Sequence, residues 1–149
     1  MHSVIDNIEE IVEPGQCFNI VVTGYSMLPL LGYGKDSIVV RRTSNDEHIE
    51  GRIAMFRGAD RHIIVHRVMK VEGDMVHLQG FGNPYHGEQT PRSTVIGVVE
   101  SVVRESGKVV SCTTRSWHRR ERIWISTPRI VRRYALGIMR RWLNFKRRL

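Results

Sequence analysis

The stretch that decides the fold is His62-Ile63-Ile64-Val65-His66-Arg67-Val68-Met69-Lys70-Val71, then Glu72-Gly73-Asp74, then Met75-Val76-His77-Leu78-Gln79. Two strand-like runs, the first rich in β-branched residues, separated by a glycine-containing turn, read as a β-hairpin. Period-two alternation puts His62, Ile64, His66 and Val68 on one face of the first strand. Ile63, Val65, Arg67 and Met69 fall on the other. Runs of the same kind recur outward from this hairpin at Cys17–Val22, Ser37–Arg42, Arg52–Phe56, Val95–Val103 and Lys108–Cys112. So many short strands broken by turns predict a mostly-β chain, an antiparallel sheet or partly open barrel.

Helical spacing appears only at the two ends. Val4, Ile5, Ile8, Ile11 and Val12 predict a short helix over Ser3–Val12, closed by Pro14-Gly15. From Pro128 onward, Val131, Tyr134, Ile138, Trp142 and Phe145 fall three or four apart. Arg132, Arg133, Arg140, Arg141, Arg147 and Arg148 fill much of the other face, so this segment reads as a basic amphipathic helix. Residues 113–127 read as a linker or as a segment packed on the body. The organisation expected is a body over residues 1–112 and a basic tail over 113–149.

The 149 residues are 41% hydrophobic, enough for a real core. The net charge of +8 is unevenly divided. Residues 115–149 hold twelve Lys or Arg against one acid, Glu121, and carry +11, whereas the first 114 residues hold eleven bases and fourteen acids and carry −3. The basic character belongs to the tail, which weakens a nucleic-acid reading of the whole chain. Cys17 and Cys112 fit no metal or redox spacing and are expected to be small buried hydrophobes. The N-terminus has neither a basic start nor an apolar run, so no signal peptide is expected. No stretch approaches the ~20 apolar residues that cross a bilayer.

The candidate chemistry lies in two segments. Gly24-Tyr25-Ser26-Met27-Leu28-Pro29 places a serine in a bend, with Met27 and Leu28 available to anchor it by burial. Such a hydroxyl needs a base to take its proton and amide donors for the oxyanion. His66, on the central strand, has the right proton affinity for that base. Taken singly, the first segment reads rather as an ordinary turn serine and the second rather as an ordinary strand histidine. His62, His66, His77 and His86 also suggest a metal cluster, but no ligand spacing supports one, and neither metal nor cofactor is expected.

Taken together, the segments resemble the signal peptidase I superfamily, which includes the LexA-type self-cleaving peptidases. Gly-Tyr-Ser26-Met27-Leu28-Pro29 resembles its Ser-Met-x-Pro box, and Gly34-Lys35-Asp36-Ser37-Ile38-Val39-Val40 the strand after that box. Gly51–Phe56 resembles the next strand, and Ile64-Val65-His66-Arg67-Val68 with Val71–Asp74 the base-bearing strand and hairpin. Leu78–Pro84 resembles the "KGD-x-N" stretch, and Val95–Val99 the closing strand. The resemblance covers residues 18–103, in the family's order.

It implies a signal peptidase/LexA catalytic fold and a serine endopeptidase with Ser26 as nucleophile. His66 followed by Arg67 matches the histidine-base type of the endoplasmic reticulum and archaea, which makes His66 the base and Arg67 a supporting residue. Gly24, Tyr25, Met27 and Pro29 would form the oxyanion and substrate loop. Phe81 stands where the family has an aspartate, so Glu88 is left as the residue to orient the imidazole. The tail is similar to that of a compact bacterial signal peptidase-like group. The partners implied are a peptide or protein substrate and, for residues 115–149, an anionic membrane surface, with nucleic acid the weaker reading. The location expected is cytoplasmic or peripheral on the cytoplasmic membrane. A tail helix packing its apolar side on the body, and a peptide-binding scaffold without turnover, are the alternatives.

Overall fold

The computed structural model describes residues 8–21, 27–31, 36–60, 62–82 and 87–148. Among these residues eight strands form one sheet: β1 (Cys17–Val21), β2 (Ser37–Arg42), β3 (Ile53–Arg57), β4 (Ile63–Glu72), β5 (Met75–Gln79), β6 (Gly87–Pro91), β7 (Val95–Val103) and β8 (Val109–Ser111). Among the described residues three α-helices accompany them: α1 (Ile8–Ile11), α2 (Arg115–Ser126) and α3 (Arg129–Arg148). The spatial order is β1-β2-β7-β3-β4-β5-β6, and every pairing is antiparallel. β7 is the spine. One edge pairs with β2, and the other pairs with β3 at its start and β8 at its end. Gly97 permits the close approach of β2, because a Cβ there would overlap the Arg41 carbonyl oxygen.

The antiparallel, mostly-β architecture is the one the sequence predicts. The β4–β5 hairpin turns at Gly73-Asp74, where Gly73 adopts a φ of +57°. Between Val68 and Lys70 the register slips, which leaves Met69 and Lys70 both facing solvent. The slip confines the strict alternation expected of β4 to residues up to Val68. His62 lies just outside β4 and is exposed, so it does not share a buried face with His66.

Alternation along β3 separates two cores. Ile53 and Met55 join Leu31, Ile38, Val99, Phe81 and Trp117 in one cluster. Ala54 and Phe56 join Ile49, Val68, Val76 and Leu78 in the other. α1 contributes Ile8 to the first cluster and is held by Glu9, which takes a hydrogen bond of 2.9 Å from Arg57 on β3. Of the helix expected over Ser3–Val12, residues 3–7 lie outside the described residues.

Of the two cysteines expected to be buried, Cys17 departs from expectation. Cys112 is buried, and its thiol is pushed up to about 12 by burial. Cys17, on the edge strand β1, is exposed. Residues 115–126 are a helix seated on the sheet. Thr114 caps it by accepting from the Trp117 amide. Trp117 is buried in the first cluster, and the Trp124 indole donates to the Phe81 carbonyl at 2.8 Å.

The apolar stripe of α3 does not pack on the body. Val131, Tyr134, Ile138, Trp142 and Phe145 are all exposed, Tyr134 by 71% and Ile138 by 68%. The body is met by the opposite side, where Leu136 is 3% exposed and Arg140 donates to the Gly82 carbonyl. Leu136 lies about half a turn from Ile138 around the helix. It forms the inward anchor, and the five residues of the stripe face out.

Candidate active site

β4 carries His66 into the interior, 5% exposed, with its ring in an edge contact with Phe56 of β3 at 6.1 Å between centroids. Burial disfavours the imidazolium and lowers the His66 pKa below the ordinary 6.5, while the Glu88 charge works in the opposite direction. At neutral pH the ring is therefore uncharged, the state a general base needs.

Glu88 comes from β6, an edge strand that the sequence reading missed. β6 reads Gly-Glu-Gln-Thr-Pro, with no β-prone alternation and a proline, and it is held by pairing with β5 alone. In that register Glu88 lies opposite Leu78, which lies opposite Val68, two residues from His66. Continuing the β4–β5 register would place Gly80, with no side chain, opposite His66. Glu88 Oε1 lies 2.9 Å from His66 Nδ1. The two atoms are close but poorly aligned, and Nδ1 is fully buried without a hydrogen bond of ordinary angle among the described residues. With Nδ1 turned to the carboxylate, Nε2 is the nitrogen left for proton transfer.

Ser26, Gly24 and Tyr25 lie outside the described residues. The residues that follow them are well fixed. Met27 is buried in the first cluster, and its carbonyl accepts from the amides of Leu30 and Leu31 at 3.1 and 3.0 Å. Leu28 is buried, and the peptide bond to Pro29 is cis. Arg104 clamps this turn, donating to the Leu30 carbonyl at 3.0 Å and to Asp36 at 2.7 Å.

Arg67 points to the face opposite His66, as alternation requires. Its Nε donates to Glu121 Oε2 of α2 at 3.0 Å. Glu121 is 2% exposed and also accepts from the Trp117 indole. The tail's single acid is thus the buried bolt between α2 and the strand that carries His66. The signal for it was present in the sequence, as one carboxylate among twelve cations. Glu121→Ala should lower stability by about 3 kcal/mol, because it strands a largely buried guanidinium. Denaturant unfolding of the variant measures this, and a loss under about 1 kcal/mol would show the bolt to be slack.

The lysines offer no rival base among the described residues. Lys70, Lys108 and Lys146 are all exposed, and Lys70 is held more basic still by Glu72. A lysine acts as a base at neutral pH only when desolvation strips its proton. Nor do His, Cys, Asp and Glu gather in threes suited to a metal among the described residues.

A family model described as Peptidase S24-like matches residues 2–100. The chain belongs to the Peptidase S24-like family. The Peptidase S24-like match spans the segments with Ser26, His66 and Glu88 and stops before α2 and α3. Membership gives the chain the serine-peptidase-like fold of the LexA/signal peptidase I superfamily that the sequence resembles. No curated protein matches the chain.

Proposed function

We propose that the chain is a serine endopeptidase of the histidine-base type, with Ser26 as nucleophile, His66 as general base and Glu88 as the residue that orients the imidazole. The observation that carries this reading is the buried, uncharged His66 with a carboxylate 2.9 Å from its Nδ1. In the first step Ser26 Oγ bonds to the scissile carbonyl carbon, and its proton passes to His66 Nε2. Collapse of the tetrahedral intermediate breaks the C–N bond, and the same proton leaves with the amine. Water then attacks the acyl ester, giving its proton to His66. Release of the carboxylic product restores the Ser26 hydroxyl. Backbone amides, including that of Ser26, stabilise the oxyanion, because Gly24 offers no hydroxyl. The substrate is an extended peptide laid along a sheet edge.

The test is a serine-reactive phosphonate probe applied to the intact chain, with the adduct mapped by mass spectrometry. One adduct per chain at Ser26, absent in Ser26→Ala, is the expected result. No adduct at Ser26 under conditions where the chain is folded would overturn the assignment.

A further inference from the structure

Five large apolar side chains of α3 face solvent in a single stripe: Val131, Tyr134, Ile138, Trp142 and Phe145. The stripe runs about 21 Å along the helix, at ~1.5 Å per residue over fourteen residues. Leaving so much contiguous apolar surface in water costs free energy unless something covers it. The body does not, since it holds the other side of the helix through Leu136 and Arg140.

Charge identifies the cover. α3 contains no acidic residue. Arg141 and Lys146, both exposed, flank the stripe on its two sides, and Lys146 Nζ lies 4.5 Å over the Trp142 ring. A cation poised beside an indole at the border of an apolar stripe suits the boundary between lipid headgroups and acyl chains, where long basic side chains extend to the phosphates. A second copy of the chain would bring another tail of the same sign against this one, and repulsion opposes that contact. A nucleic acid would engage the arginines but leave the five apolar residues uncovered. No described helix is long and apolar enough to cross a membrane, so α3 would lie along the surface.

We infer that α3 docks the protein on an anionic lipid surface, with the stripe from Val131 to Phe145 buried among the acyl chains and the flanking cations at the phosphates. This docking is independent of the catalytic reading and holds whether or not Ser26 acylates.

The experiment is co-sedimentation of the full chain with vesicles of phosphatidylcholine, with and without phosphatidylglycerol. Retention is expected on the anionic vesicles and should fall as salt is raised. Ile138→Ser with Trp142→Ser removes two exposed residues that belong to neither core cluster, so the fold should be kept. The pair should weaken partitioning by about 30-fold, and Arg141→Gln by about fivefold. Labelling of Ser26 in solution should be unchanged in both variants, which separates this test from that of the peptidase. Absence of retention on anionic vesicles, or retention indifferent to the serine pair, overturns the inference. So does a wild-type dimer that the serine pair makes monomeric while vesicle binding persists, because the stripe would then be a self-interface.

Discussion

Replacing His66 with glutamine should slow acylation of Ser26 by about five powers of ten, nearly as much as removing the serine itself. A nucleophile and its base act as one unit, so losing either member forfeits most of the chemistry. Glutamine keeps a polar side chain of similar reach against Phe56 but cannot take up a proton. The measurement is the second-order rate of phosphonate labelling at neutral pH, alongside a melting curve that shows the variant folded. A folded variant labelled within tenfold of the wild-type rate would mean that His66 is not the base. With Lys70, Lys108 and Lys146 all in solvent, the described residues hold no lysine to replace it.

Glu88→Gln should lower the labelling rate by about 10² to 10⁴, on the precedent of serine peptidases that lose the carboxylate behind the imidazole. The pH dependence gives the sharper signature. In the wild type, burial lowers the His66 pKa and the Glu88 charge raises it against that pull. Removing the charge leaves burial unopposed, so the acid limb of the rate should move to lower pH. Stability should follow the same sign. The folded ring resists protonation, so the unfolded chain takes up its proton first as pH falls below 6.5, and stability declines until the lower folded pKa is reached. With that folded value lower still, the decline should extend further in the variant. An acid limb that stays in place, or moves to higher pH, would show that Glu88 does not act on His66.

The strands that carry the core were legible because their residues serve packing and turn chemistry alone. Ser37–Arg42, Met75–Gln79 and Val95–Val103 fall where alternation and β-branched residues place them. β6 was not legible, because Gly87–Pro91 becomes a strand only by pairing with β5, a tertiary effect that local propensity does not register. Glu88 could thus be named as a candidate from a resemblance, but its approach to His66 could not be derived. α2 was hidden in a different way. Its pattern of Trp117, Glu121 and Trp124 mixes apolar anchors with a buried acid, so a periodicity that counts only apolar residues sees no stripe. For α3 the periodicity was right and the inference from it incomplete. An apolar stripe marks a face that wants covering, and the opposite side, through Leu136, was enough to hold the helix to the body.

The Glu121–Arg67 contact bears on where this protein can be cut. The match to the peptidase family ends at residue 100, yet Trp117 and Glu121 fill the interior beyond it. The matched stretch is therefore shorter than the unit that folds. A version ended at residue 112 would open the first core to water and leave Arg67 beside a hole. One ended after Ser126 would shed only the cationic helix, so the sheet with α2 and the cationic α3 should be separable at Thr127-Pro128.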